Sequence, residues 1–495
     1  MNIEELRKRI DETDEKIVRL FEERLKIAAE IADYKKEKGL PVFDSEREKS
    51  VVEKVTSQVS DEYAPYIKNL YEAIFQVSRS YQRKRMNANS FGLLGRTLGH
   101  SLSPEIHEKL GDYDYRLFCK EPDELEKFFS DKTLKGYNVT IPYKVDAFRA
   151  CDEVSERAKK IGSVNTCIRR EDGTLYGDNT DYFGFLYMAK KADADFKNKK
   201  VLVLGNGGAS LTVQIVCRDE GAKEIVVVSR TGENNYENIS RHYDADIIVN
   251  TTPVGMYPHN GERLIDLSHF TKCTAVLDLI YNPLKTPLIL DAEKSGINSS
   301  NGLTMLVAQA VKSAKQFLGE EIPEEKIDMV YDSLLKERKN IVLVGMPGSG
   351  KSTIGKMLAK KLNREFLDTD EMIVEKTGKL IPEIFAENGE EYFREIESEC
   401  VKEAGKKMGL VIATGGGAVL RKENRDALRQ NAVVIFLDRE VDSLATDGRP
   451  LSSSEEKLRM MYEARYPVYK EISDFTVKTN DDAQITLRET EKCVF

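Results

Sequence analysis

The sequence predicts a multidomain fold, all-α over a three-helix N-terminal stretch and α/β thereafter. Three observations carry that prediction. Up to residue 88 the apolar residues recur at helical spacing, with no strand pattern between them. From residue 89 onward short apolar runs alternate with helical segments, the pattern of a parallel sheet covered by helices. At 345–353 the run Gly-Met-Pro-Gly-Ser-Gly-Lys-Ser-Thr stands between the apolar stretch 341–344 and a helical segment, which is the strand–loop–helix setting of a P-loop. At 495 residues the chain is too long for one core, and roughly three domains are expected.

A net charge of −9 gives no reason to expect nucleic acid or an anionic membrane as partner. The cations that matter should lie locally, in sites for small anionic molecules. The seven cysteines form no C-x-x-C pair and no zinc spacing, which reads as reduced thiols and a cytoplasmic location. The first twenty residues are too charged for a signal peptide, and no apolar run reaches the length of a membrane span.

Residues 1–88 read as three helices. Leu6, Ile10, Ile17, Leu20, Phe21, Leu25, Ala28 and Ile31 make one long segment, ended by Gly39-Leu40-Pro41. A second runs from about Glu46 to Val59, and a third carries Ile67, Leu70, Ile74, Phe75 and Val77. So thin a core predicts pairing with a second copy, a homodimer through this domain. Arg7, Arg24 and Lys35 are spaced to project toward a common groove with Arg47, although any one alone reads as a solvated face. The set Leu6-Arg7-Lys8-Arg9-Ile10-Asp11, Arg24, Lys35, Asp44-Ser45-Glu46-Arg47-Glu48, Ser78 and Gln82 resembles the all-helical chorismate mutase family. The resemblance implies that Arg24, and Arg7 from the second copy, hold the two carboxylates of chorismate. It implies that Lys35 and Gln82 bond the ether oxygen, that Asp44 and Glu48 position the hydroxyl, and that Arg47 and Ser78 support the carboxylate side. A Claisen rearrangement needs a compact conformer and a cation on the oxygen that gains charge, and no nucleophile.

Residues 89–338 read as a substrate part, 89–190 and 300–338, around a Rossmann part, 191–299. Val201–Leu204 is a buried strand, Gly205-Asn206-Gly207-Gly208-Ala209-Ser210 a glycine-rich turn, and Glu224–Val228 the next strand. Its tip, Ser229-Arg230-Thr231, offers no acid for a ribose hydroxyl and one cation for a 2′-phosphate, which favours NADP. Gly99-His100-Ser101-Leu102-Ser103-Pro104, Gly136 through Lys144, Gly162 through Thr166, Gly177-Asp178-Asn179-Thr180-Asp181, Asn250 through Met256, Asp278 through Pro283 and Asn301 through Ala310 together resemble shikimate dehydrogenase, in order and across the whole domain. The resemblance implies that Ser101 and Ser103 bind the substrate carboxylate and that Thr140, Asn165 and Gln309 bind hydroxyls. Lys144 and Asp181 would flank the reacting C–O centre, and Tyr281 and Met305 would lie near the nicotinamide. Hydride transfer to a carbonyl carbon requires a proton for the oxygen, and an ammonium beside a carboxylate supplies one. His100 reads as structural.

Residues 339–495 open on the P-loop. Gly348, Ser349, Gly350 and Thr353 cradle phosphate, Lys351 reaches the β- and γ-phosphates, and Ser352 places a hydroxyl on Mg²⁺. Asp368-Thr369-Asp370 at a strand end, Phe393-Arg394-Glu395-Ile396-Glu397 on a helix, Gly415-Gly416-Gly417 after a strand, Arg449-Pro450-Leu451 in a polar lid and Arg465-Tyr466-Pro467 resemble shikimate kinase over the full domain. The implied roles are Asp368 supporting Mg²⁺, Asp370 binding the hydroxyls and taking a proton, Arg394 and Arg465 clamping the carboxylate, Gly415–Gly417 approaching the substrate, and Arg449 closing over the phosphates. In one departure, Ala445 and Thr446 stand where relatives place an adenine-stacking arginine. Phosphoryl transfer is mainly positioning and charge neutralisation, and these parts supply both.

The three resemblances imply a fusion of shikimate-pathway enzymes using NADP(H), ATP and Mg²⁺ on 3-dehydroshikimate, shikimate and chorismate. An alternative makes the N-terminal domain a dimerisation or metabolite-sensing module and the middle domain an NAD-linked quinate/shikimate dehydrogenase.

Overall fold

The computed structural model describes residues 2–38, 40, 42–60, 62–86, 90–99, 101–444, 455–479 and 481–494. Three helices open the chain: Ile3–Lys38, Ser45–Thr56 and Ala64–Arg85. The first carries Glu4 and Glu5 in its first turn and Lys35, Lys36 and Lys38 in its last, charges that complement the helix dipole. The second starts on Asp44, whose carboxylate caps the N–H of Arg47. It ends at Thr56 rather than Val59, because the N–H groups of Gln58 and Val59 turn back to carbonyls three residues earlier.

Met1–Thr180 and Ala310–Ile322 form one compact unit, and Asp181–Gln309 with Pro323–Phe495 a second. In the first unit the three helices are followed by a mixed six-stranded sheet. Its order is Asp114–Cys119, Ser90–Gly95, Gly136–Val139, Thr166–Arg169, Leu175–Asp178, Glu153–Val154. Leu94, Phe128, Tyr137, Val139, Val164 and Cys167 form its core.

The second unit holds two five-stranded sheets, parallel throughout. One runs Asn298–Asn301, Ala275–Asp278, Ile247–Asn250, Lys200–Leu204, Glu224–Val228; the other runs Phe366–Asp368, Val411–Ala413, Asn340–Val344, Ala432–Asp438, Phe475–Lys478. Their inner strands are largely apolar and buried, as in a parallel sheet covered on both faces, whereas the edge strands Asn298–Asn301 and Phe475–Lys478 are polar or partly exposed. The helix Asp181–Lys191, expected with the substrate part, groups with this unit because Phe185, Met188 and Ala189 pack into the core beneath Lys200–Leu204. Residues 300–309 and 323–338 group with it as well. The N–H of Leu284 donates to Asn431 Oδ1 at 2.8 Å and that of Lys285 to the Gln430 carbonyl at 2.8 Å, tying a loop of one sheet to the strand entrance of the other.

Candidate active sites

Asn340–Val344 lies at the centre of its sheet, so the loop leaving its C-terminal end opens at a topological switch point. The helix Lys351–Leu362 follows at once and offers its first N–H groups to an anion. Lys351 Nζ rests on the carbonyls of Gly345 at 2.9 Å and Met346 at 2.8 Å. Ser349 Oγ is buried without a partner, which fits a donor reserved for a phosphate oxygen. Ser352 Oγ donates to Asp368 Oδ2, and Asp368 Oδ1 accepts the N–H of Asp370. Among the described residues no group of three His, Cys, Asp or Glu side chains could hold a metal ion alone. A hydroxyl and one carboxylate fit Mg²⁺ instead, which takes few protein ligands and completes its shell with phosphate and water.

A cavity of about 1020 Å³ runs from this loop past Asp370, Arg394, Glu397, Gly415, Gly416, Gly417 and Arg465. It thus brings the expected kinase residues together, apart from Ser349, which does not line it, and Arg449, which lies outside the described residues. Arg394 is buried and donates to Glu397 at 2.7 Å and to Glu390 at 3.1 Å. Burial pushes the Asp370 carboxyl up to about 6; the charge of Asp368 adds to this and Lys351 opposes it. Burial likewise raises Glu397, against the pull of Arg394. Glu397 was not singled out from the sequence, although its place three residues after Arg394 was a visible signal. Tyr469, which closes the Arg465-Tyr466-Pro467-Val468-Tyr469 stretch and to which the sequence assigns no role, donates its hydroxyl to the Gly416 carbonyl at 2.6 Å and fixes the glycine loop.

In the other parallel sheet, the turn 205–208 joins Lys200–Leu204 to the helix Gly208–Asp219. A Cβ at Gly207 or Gly208 would meet nothing within 4 Å, so the turn is an open cradle before a helix N-terminus and fits a dinucleotide phosphate. Ala209 is exposed in the first turn of that helix; Ser229 is buried at the tip of Glu224–Val228, and Arg230 and Thr231 are exposed beside it. Gly184 lets the helix that begins at Asp181 approach Met305 and Gln309: a Cβ there would lie 2.6 Å from the Met305 carbonyl and 3.0 Å from Gln309 Cβ. Asp278 was missed. It is fully buried, accepts from Asn250 Nδ2 at 3.0 Å and the Ile280 N–H at 3.1 Å, and pins the start of the loop that carries Tyr281. Burial raises its carboxyl to about 6.

In the first unit Thr140, Lys144 and Asn165 share one corner. The N–H of Val139 donates to the Asn165 carbonyl at 2.8 Å, and that of Val164 to the Lys144 carbonyl at 3.0 Å. Asn165 Oδ1 accepts the Thr180 N–H at 2.7 Å. Ser101 Oγ accepts the N–H of Ser103, where the helix Ser103–Leu110 begins. His100 lies outside the described residues. Asp178, named in a motif without a role, is held by Ser155, Arg157 and Gln316, which carry its pKa below the ordinary value despite burial.

Among the first three helices, Arg24 bonds Ser78 Oγ, and Lys35 Nζ bonds the Val42 carbonyl at 2.6 Å. Gln82 is buried and its Oε1 has no partner. Glu48 pairs with Arg79 at 2.5 Å, a residue the sequence had not marked. Arg47 is exposed beside its cap Asp44, and Arg7 is exposed near the far end of Ile3–Lys38, about 25 Å along the helix from Arg24.

Comparison with known proteins finds three families. Chorismate mutase type II matches residues 6–83, the shikimate dehydrogenase substrate binding domain matches 93–167, and shikimate kinase matches 347–493. The chain is similar to a shikimate dehydrogenase (NADP(+)) of Clostridium perfringens, 36% identical over 265 residues, covering 49% of this chain and 97% of that relative. It is also similar to the enzyme of that name from Methanopyrus kandleri, 36% identical over 269 residues, covering 48% and 92%. A solved chorismate mutase/shikimate 5-dehydrogenase fusion protein from Clostridium acetobutylicum is 39% identical, with coverage of 50% of this chain and 97% of that one and a TM-score of 0.48.

Proposed function

We infer three activities from one premise: the chain belongs to the shikimate dehydrogenase family, with a chorismate mutase type II domain before that unit and a shikimate kinase domain after it. It is a multifunctional shikimate-pathway enzyme. We propose that it reduces 3-dehydroshikimate to shikimate with NADPH, phosphorylates the 3-hydroxyl of shikimate with ATP, and rearranges chorismate to prephenate.

The observation that carries the kinase reading is the buried pair Arg394 and Arg465 in one cavity with Asp370 and the P-loop. Two guanidinium groups suit a carboxylate, and a carboxylate base suits the attacking hydroxyl. Asp370 takes the proton of that hydroxyl, Ser352 and Asp368 hold Mg²⁺, and Lys351 leaves its two carbonyls for the phosphates. Arg449, by the resemblance, would close over the phosphates.

In the dehydrogenase, Ser101 and Ser103 take the substrate carboxylate, and Thr140, Asn165 and Gln309 its hydroxyls. Lys144 supplies the proton to the carbonyl oxygen, oriented with Asp181. The turn 205–208 takes the pyrophosphate, Ser229, Arg230 and Thr231 the 2′-phosphate, and Tyr281 and Met305 frame the nicotinamide. The names of the relatives support NADP over the NAD-linked quinate alternative.

In the mutase, Arg24 and Arg7 of a second copy hold the carboxylates, and Lys35 and Gln82 meet the ether oxygen. Ile10, Ile17, Leu20, Ile27 and Ile31 are each 44% exposed or more and fall on one stripe of the first helix. A stripe of that size supports a homodimer. The seven cysteines are free and, among the described residues, no helix is long and apolar enough to cross a membrane, which supports a cytoplasmic location.

Three assays on the intact chain test the whole reading. Lys35→Ala, Lys144→Ala and Asp370→Asn should each abolish one activity and spare the other two; an unmodified chain lacking one activity refutes that third of the proposal.

A further inference from the structure

The helix Ser103–Leu110 and the turn after it belong to the dehydrogenase part, yet their acids Glu108 and Asp112 reach into the three-helix domain. Asp112 uses both oxygens. Oδ2 accepts the N–H of Val42 at 2.7 Å, and Oδ1 accepts Arg83 Nε at 3.3 Å. Val42 is 4% exposed, and its carbonyl is the one that Lys35 Nζ holds at 2.6 Å. An ammonium has three N–H donors, so this bond aims Lys35 and leaves two donors for a substrate oxygen.

Glu108 does the same work one turn earlier. Its carboxylate lies 2.8 Å from Arg79 Nε, an ion pair. The other end of that guanidinium holds Glu48 at 2.5 Å, and its face lies over the Phe43 ring at 5.2 Å. Arg79 and Arg83 are 8% and 7% exposed, so these charges are partnered in a poorly solvated seam, where loss of a partner is expensive.

We propose that Asp112 is a positioning residue of the mutase site, holding Lys35 through Val42, and that Glu108 holds Glu48 through Arg79. This rests on the mutase reading given above. The physical argument is one of placement. The rearrangement is catalysed by where a cation stands, and a displacement of about 1 Å at such a group costs on the order of 10²-fold in rate. A seam that only glued two domains together would affect melting and leave the rate of one reaction alone.

The test uses the full chain with Asp112→Ala and Asp112→Asn. The first removes the acceptor for Val42; the second keeps one acceptor oxygen for Val42 and loses the charge and the second acceptor, the one that Arg83 uses. Asp112→Ala should lower mutase kcat by about 10- to 100-fold with the chorismate KM little changed, because Arg24 still holds its carboxylate. Asp112→Asn should restore most of kcat, and dehydrogenase and kinase rates should stay at the unmodified level. Unchanged kcat in Asp112→Ala overturns the proposal, as does a change in KM alone. If Asp112→Ala loses all three activities, Glu108→Gln decides: mutase kcat falling alone supports the positioning role, and no change refutes it. Absence of mutase activity in the unmodified chain sinks the mutase reading itself, whereas activity that survives in both variants sinks only this inference.

Discussion

Ser352 Oγ donates to Asp368 Oδ2 across 2.6 Å, joining the first turn of the P-loop helix to the end of the edge strand Phe366–Asp368. A hydroxyl and a carboxylate placed together would suit Mg²⁺, which takes few protein ligands. Asp368→Asn should therefore lower kinase kcat by ~10²-fold and raise the Mg²⁺ concentration for half-maximal rate, with shikimate KM within ~3-fold. A Mg²⁺ titration of initial rates checks this; an unchanged half-maximal concentration contradicts it.

Asp370 has a folded pKa of about 6 against an ordinary 3.8, raised first by burial and then by Asp368. The native state therefore binds more protons than the unfolded one between those values. Stability falls as pH rises through that window, and the penalty is complete above it. Asp370→Asn should raise stability at pH 7.5 by on the order of 1–3 kcal/mol and by much less near pH 4, while kinase activity is lost. In the unmodified chain, kinase kcat/KM for shikimate should drop below pH ~6 as the base is protonated. Melting curves at the two pH values, with a pH–rate profile, decide it.

Gly417 is required by a close approach rather than by its backbone angle. A Cβ there would stand 2.2 Å from Arg394 Nη1 and 2.7 Å from its Cζ. Gly417→Ala should displace the guanidinium from its place beside Glu397 and raise shikimate KM by about 10- to 100-fold, the worth of one charge-assisted contact. The KM for ATP should not move. Steady-state kinetics with each substrate varied in turn separates the two.

Arg230 is exposed at the tip of Glu224–Val228, with no acid in Ser229-Arg230-Thr231. Arg230→Ala should raise the KM for NADPH by ~10-fold or more and leave that for NADH within ~2-fold. Equal changes for both coenzymes would remove the 2′-phosphate role.

Ile17 and Leu20 are 54% and 66% exposed on the stripe proposed to meet a second copy. Ile17→Glu with Leu20→Glu should convert a dimer to a monomer in sedimentation velocity and cut mutase activity by ~10²-fold or more, since Arg7 is then not supplied in trans. Dehydrogenase and kinase rates should hold. A variant that stays dimeric, or a monomer that keeps mutase activity, contradicts the proposed interface.

Much of this protein is local chemistry and is written in its order of residues. Helical spacing up to residue 88, the strand–glycine–helix runs at 201–219 and 341–362, and the cations Arg24, Lys35, Arg394 and Arg465 are short-range patterns set by backbone geometry and side-chain type. What the tertiary structure alone decided is which groups face one another. Nothing in the spacing placed Asp112 on Val42, Asn250 on Asp278, or Tyr469 on the Gly416 carbonyl. Those bonds join residues far apart in the chain or fix loops through single backbone atoms, and they form only where packing brings the partners within hydrogen-bond reach. The raised pKa of Asp370 belongs to the same class, since burial and the nearness of Asp368 and Lys351 are properties of the folded cavity and not of the segment Asp368-Thr369-Asp370.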